Sequence, residues 1–275
     1  MLTAMAAERL AGGMGNRGEV RRVGDTVHRP LGKHAPAVAL LLEHLAREGF
    51  PAPVSIGCDE DGMERFRWID GDVPVPPYPE WALTDGALAS VGRLLRRYHD
   101  AVRSFSAPPR VHWSGDLADP QGGPIVCHND VCPENVVFRN GEAVALLDFD
   151  FAAPGRAVWD LAQTARMWIP LRPAGPSDER ARLDPLRRLP LLVDAYGLAT
   201  TEHVSLVDAI VASKRVGSRF VERRASAGEP AFVDAWESRG GQMGDAAVIA
   251  WLENQRDAFL RALSENRSAA VARRS

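Results

Sequence analysis

Asn140-Gly141 separates two short runs, Val136 to Arg139 and Glu142 to Leu147, and it constrains the fold more than any other feature of the chain. Asn-Gly readily takes up the positive φ angles of a two-residue type I′ turn, so the runs are expected to pair as an antiparallel hairpin. Counting outward sets Arg139 against Glu142, Phe138 against Ala143, Val137 against Val144 and Val136 against Ala145. Asn135 then falls opposite Leu146, and Asn135 and Asp148 emerge at the same open end. An amide oxygen and a carboxylate there make an all-oxygen half-site that suits Mg²⁺, an ion that keeps waters and takes further ligands from substrate phosphates. Asp130, in a short loop between His128 and Pro133, can accept a proton from a hydroxyl that attacks such a phosphate.

The spacing His128-x-Asp130-x-x-Pro133-x-Asn135, followed by Leu147-Asp148-Phe149-Asp150 and Trp159-Asp160-Leu161-Ala162, resembles the aminoglycoside phosphotransferase and choline kinase-like superfamily. Val126-Cys127-His128-Asn129-Asp130 and Thr26-Val27-His28-Arg29-Pro30 look like its trifolitoxin immunity-like branch. The resemblance implies a bilobal, protein kinase-like α+β fold, with a small N-terminal antiparallel sheet lobe and a larger, mainly helical C-terminal lobe. It implies Asp130 as catalytic base, Asn135 and Asp148 as metal ligands, and Asp160 as a buried acceptor steadying the catalytic loop. Asn129 departs from the glycine of many relatives. His128 reads as a loop-orienting residue, and Asp150 as a partner of the following helix, since acids are favoured near helix starts.

Upstream, Gly13-Met14-Gly15-Asn16-Arg17-Gly18 matches G-x-G-x-x-G, a pattern of dinucleotide-binding turns and kinase glycine-rich loops alike. A dinucleotide loop opens a helix, whereas Glu19 to Arg29 reads as strand, turn, strand, and Val20 completes the kinase form. Gly13 and Gly15 are therefore expected to cover ATP phosphates, with Val27 roofing the adenine. Where a kinase has a phosphate-clamping lysine, this chain offers Arg29; Lys33 is the rival, past Pro30 and Gly32. Pro36 to Glu48 takes the place of the kinase C-helix, but its Glu43 points away from the Val38, Leu41, Leu42, Leu45 stripe and is not assigned as the clamp's partner.

Val54 to Ile56 and Met63 to Ile69 complete a small sheet, and a proline-rich connector from Asp70 marks the lobe boundary, giving lobes 1–72 and 73–275. Backbone around Trp68, Ile69 and Asp70 is expected to meet the adenine edge. Trp81 to Phe105 carries a helical apolar stripe, Arg156 to Trp168 a second helix, Pro170 to Pro190 an excursion, and Leu191 to Leu263 two or three further helices before a frayed tail.

A hydrophobic content of 45% over 275 residues can bury a core large enough for two lobes. A net charge of −3 supplies no basic field for nucleic acid or an anionic membrane surface, and no apolar run reaches the ~20 residues of a spanning helix. Cys58, Cys127 and Cys132 lack paired spacing, which with the unremarkable N-terminus points to a reducing, cytoplasmic setting. Asp148 is followed almost at once by Pro154-Gly155, leaving no peptide platform, so the acceptor is expected to be a small molecule with a hydroxyl. An aminoglycoside would call for acids such as Asp178, Glu179, Asp184, Asp208 and Glu222 around it. Two other readings are a non-catalytic nucleotide-binding immunity protein of the same fold, and a phosphohydrolase built on His128, Asp130, Asp148 and Asp150.

Overall fold

The computed structural model describes residues 7–10, 19–173 and 182–272. The N-terminal lobe is an antiparallel sheet in the order β1-β2-β3-β5-β4, from β1 (Glu8–Arg9), β2 (Arg21–Val23), β3 (Thr26–Arg29), β4 (Ser55–Cys58) and β5 (Glu64–Arg67). Gly24, at φ 63°, supplies the β2–β3 turn. The sequence reading did not anticipate β1, a two-residue strand of charged residues. It pairs with β2, and the segment joining them, with Gly13 and Gly15, lies outside the described residues. Helix α1 (Ala35–Arg47) begins with Pro36 in its first turn and ends before Gly49 at φ 68°, burying Val38, Leu41, Leu42 and Leu45.

The connector is tied to the C-terminal lobe. The Asp72 N–H and C=O exchange two 2.8 Å hydrogen bonds with Phe138, and Gly71, at φ 139°, lies so close that a Cβ would sit 2.5 Å from the Phe138 carbonyl oxygen. Only glycine fits there without displacing the strand. Helix α2 (Asp85–Ala101) is capped by Thr84, whose hydroxyl accepts the Ala87 N–H. It buries Leu88, Val91, Leu94, Leu95 and Tyr98 at the centre of one core that runs from α1 to the helices of the C-terminal lobe.

The hairpin forms as β7 (Val136–Arg139) and β8 (Glu142–Leu146), with Asn140 and Gly141 at positive φ. Its register departs from the simple count by one residue: Arg139 faces Glu142 and Phe138 faces Ala143, but Val137 faces Ala145 and Val136 faces Leu146. Val144 bulges, and the neighbouring Ala143 N–H donates to the Ser90 hydroxyl of α2 at 2.9 Å. The slip carries Asn135 to Leu147, whose N–H it accepts at 2.8 Å, and so brings Asn135 one residue closer to Asp148. A second pair, β6 (Ile125–Cys127) with β9 (Ala153–Gly155), frames the segment from His128 to Ala152.

Helix α3 (Ala157–Trp168) follows as expected, whereas the end of the expected excursion, from Pro185, already belongs to helix α4 (Pro185–Tyr196). Proline 190 lies inside it, and burial of Leu189, Leu192 and Val193 against α2 outweighs the lost backbone bond. Helices α5 (His203–Ser226), α6 (Pro230–Ser238), α7 (Gly241–Asn254) and α8 (Arg256–Ala272) complete the lobe among the described residues, more than sequence periodicity indicated, and α8 extends to Ala272, into the segment read as frayed. No helix among the described residues is long and apolar enough to cross a membrane.

Candidate active site

The loop after β6 is shaped from below by Asp160 of α3. This fully buried carboxylate accepts the His128 N–H at 2.7 Å and the Asn129 N–H at 2.8 Å. His99 of α2 fixes it at 3.0 Å through Nε2, and the other ring nitrogen of His99 meets the Tyr196 hydroxyl at 2.7 Å. Burial pushes the Asp160 carboxyl up, but the hydrogen bonds and charge of His99 and the His128 contacts outweigh it and hold the group below the usual range.

Asn129 stands in the left-handed region at φ 65°, a conformation that suits the glycine of relatives and that asparagine also tolerates. Its amide nitrogen donates to the Phe151 carbonyl at 2.9 Å. His128 is fully buried, and burial lowers its pKa. The neutral ring therefore donates from Nε2 to the Leu147 carbonyl at 2.9 Å and accepts the Asp130 N–H at Nδ1, 3.3 Å away. Both nitrogens are spent on orienting the loop.

Asp130 and Asn135 meet at the mouth of this loop. The Asn135 amide nitrogen donates to the Asp130 carbonyl at 2.9 Å and to its carboxylate at 3.1 Å, which aims the amide oxygen elsewhere. The Asp130 carboxyl is pushed up to about 7 by burial first, then by the like charges of Asp148 and Glu134, against the Asn135 hydrogen bond. Asp148, at φ 56°, keeps 36% of its side chain exposed. The donor set offered by Asn135 and Asp148 is hard and all-oxygen, and fits Mg²⁺ completed by phosphate and water. Among the described residues no three His, Cys, Asp or Glu converge as a metal site.

Arg29 reaches this carboxylate from β3. Its Nη1 lies 3.2 Å from Asp148, Nη2 2.8 Å from Asp150, and Nε 3.1 Å from Glu64. Burial works against the guanidinium charge, yet Asp150, Asp148 and Glu64 outweigh it and raise its pKa. The partner of Arg29 is thus Glu64, directly across the β3–β5 ladder, while Glu43 is exposed on the far side of α1. Asp150 corrects an expectation: it pairs with Arg29, and the start of α3 is served by Asp119, which accepts the Arg156 N–H at 3.2 Å and its guanidinium at 2.7 and 3.0 Å. Lys33 is exposed beyond the strand.

Two residues back along β3, Val27 pairs with Phe66, and the Arg22 guanidinium stacks 4.0 Å over the Trp68 ring. The Trp68 N–H donates to the Asp25 carbonyl at 2.7 Å, and the Asp70 carbonyl accepts from Arg139 at 2.8 Å. Two of the backbone groups expected at an adenine edge are therefore engaged within the protein, which narrows that edge to the Trp68 carbonyl, Ile69 and the Asp70 N–H.

Residues 111–188, which contain this loop, the hairpin and α3, match the phosphotransferase enzyme family. The trifolitoxin immunity protein of Rhizobium leguminosarum bv. trifolii is 32% identical over 240 residues, spanning 82% of this chain and 90% of that protein. The chain belongs to the phosphotransferase enzyme family, in its trifolitoxin immunity-like branch. Among solved structures, a choline/ethanolamine kinase family protein from Mesorhizobium loti superposes with a TM-score of 0.62 at 17% identity, covering 94% of this chain and 92% of that one. The GDP complex of aminoglycoside 2′-phosphotransferase-IIIa follows at 0.57 and 14% identity, covering 93% and 94%. At these identities the likeness speaks for the bilobal kinase-like fold.

Set in this phosphotransferase fold, the acids considered for a cationic acceptor disperse. Asp184 caps α4 through the Leu186 N–H, Asp208 pairs with Arg256, Glu222 is exposed on α5, and Asp178 and Glu179 lie outside the described residues. Glu64 and His99 are the functional neighbours that sequence reasoning missed. The alternation Glu64, Phe66 against Arg29, Val27 could have revealed the first, since a cross-strand acid is the simplest partner for an inward arginine.

Proposed function

We propose that the protein transfers the γ-phosphoryl group of ATP to a hydroxyl of a small molecule, an antibiotic or a metabolite, in the cytoplasm. The observation that carries this reading is Asp130: a carboxyl pushed to about 7, in the family's catalytic loop, hydrogen-bonded to Asn135 and close enough to feel Asp148. A base with that pKa takes a proton near neutral pH while remaining a weak enough acid to return it. Asp160 and His128 hold its backbone, and Asn135 fixes its carboxylate, so little reorganisation is needed when a hydroxyl arrives.

Asn135 and Asp148 would hold Mg²⁺, which supplies positive charge against the β- and γ-phosphates. Arg29 would turn its fork from Asp148 and Asp150 toward the α- and β-phosphates, Glu64 keeping it on the strand. Gly13 and Gly15 would cover the phosphates, Val27 roof the adenine, and Trp68, Ile69 and Asp70 border its edge. The test is single-turnover transfer to hydroxylated antibiotics and metabolites. Asp130→Asn should keep ATP affinity and lose ~10²- to 10⁴-fold in rate; parental rates would remove the assignment.

The name of the 32% identical relative favours a second reading, an immunity protein that works by binding rather than by transfer. Under it, Asp130→Asn leaves protection intact while Mg-ATP hydrolysis and transfer are both absent.

A further inference from the structure

A cluster of cations outside the catalytic loop has too few carboxylates. Arg166 of α3, Lys214 of α5 and Arg239 at the end of α6 act on one another and on a single acid, Asp245 of α7. Asp245 is already engaged: Lys214, 7% exposed, makes an ion pair with it and donates to Ser218 at 3.0 Å. The quartet carries an excess of two positive charges.

Arg166 is held in place without a counter-ion. Its Nη1 donates to the neutral Gln163 amide oxygen at 2.7 Å, and among the described residues no carboxylate forms an ion pair with it. Gly217 of α5 leaves it room: a Cβ on that glycine would fall 3.1 Å from Nη2. Burial, then the charge of Arg239, pushes its pKa down to about 10, showing how poorly the site compensates the cation. A desolvated, fixed and uncompensated guanidinium is costly to fold around and is pre-organised for an oxyanion, which its planar fork can take through two bonds.

We propose that Arg166, with Lys214 and Arg239 beside it, forms a binding site for an anionic group, a carboxylate or phosphate, on the face of α3 where Gly217 lets the guanidinium lie against α5. The site stands about one helical turn from the catalytic wall: Phe220, three residues after Gly217, packs its ring 5.3 Å from Phe151, whose carbonyl holds Asn129. That proximity gives the anion two sources, a negatively charged part of the acceptor itself or a separate small anion. The acceptor source rests on the phosphotransferase reading; the anion site does not.

Sulfate is the probe, with the full chain and ionic strength held constant with chloride. The melting temperature should rise saturably with sulfate in the parent. Arg166→Gln should abolish the rise, and so should Gly217→Ala, which keeps every charge but sets a methyl 3.1 Å from Nη2 and displaces the guanidinium from α5. No saturable rise in the parent, or a rise that survives either substitution, overturns the site. In a transfer assay with an accepted substrate, sulfate that raises acceptor KM at constant kcat assigns the anion to the acceptor, and sulfate that changes kcat alone assigns it to a separate ligand. If transfer is never found but the sulfate shift and its two losses are, the anion site stands while the transferase reading falls.

Discussion

Replacing Asp130 by asparagine should make the protein more stable, by an amount that grows from acid to neutral pH. The carboxyl titrates near 7 in the folded chain and near 4 when unfolded. Between those values the unfolded chain has lost its proton and the folded chain keeps it, so stability falls as pH rises through that window and stays lowered above it. This is the reverse of a salt-bridged aspartate, because burial and the Asp148 and Glu134 charges disfavour the native carboxylate. A displacement of about three units corresponds to a ceiling of ~4 kcal/mol, and the partial exposure of the side chain reduces the expected gain to ~1–3 kcal/mol. Asparagine keeps the shape and can accept the Asn135 hydrogen bond. Urea unfolding of parent and variant without Mg²⁺ at pH 4, 5.5 and 7.5 measures it. The variant should lead at pH 7.5, by less at 5.5, and not at all at 4. In an Asp148→Asn background the lead should shrink, since one of the two like charges is gone. A pH-independent difference, or a less stable variant at pH 7.5, would refute the account of Asp130.

Arg29→Ala should destabilise the fold by ~3–5 kcal/mol in urea unfolding, because it leaves Glu64, Asp148 and Asp150 without their shared cation; Lys33→Ala should cost under ~0.5 kcal/mol. Nucleotide titrations on Arg29→Lys are the cleaner measure of its part in ATP binding, with an expected loss of ~1–3 kcal/mol. Asp148→Ala should abolish Mg-nucleotide binding by calorimetry while the apo protein keeps its far-UV spectrum. Gly71→Ala should cost ~1–3 kcal/mol or more through overlap with the Phe138 carbonyl, seen as a lowered melting temperature, whereas the open Gly141 tolerates contact but not its φ of 78°.

What could be read from the chain followed local chemistry. Asn140-Gly141 announced its turn, and the spacing from His128 to Asp160 announced the family and its loop, because both depend on neighbours in sequence. The hairpin register slipped because Val144 bulges next to Ala143, whose N–H is held by Ser90, a residue 53 positions away. Glu64 was passed over for the same kind of reason: it meets Arg29 across a ladder 35 residues long in sequence. Asp150 was assigned to the next helix by a local rule, and a charge on another lobe claimed it. Helix α4 was broken on paper at Pro190 by a propensity that its buried leucines override.

The bond between Asp72 and Phe138 also turns a strand into a gauge. Phe138 is three residues from Asn135 along β7, about 10 Å at strand rise, and Gly71 holds the connector directly on it. The border where a base would sit and the amide that would meet the phosphates are therefore set apart by the length of one short strand, not by how far the lobes happen to close. Arg29, already joined across the lobes to Asp148 and Asp150, would have to turn within that fixed berth to meet a nucleotide.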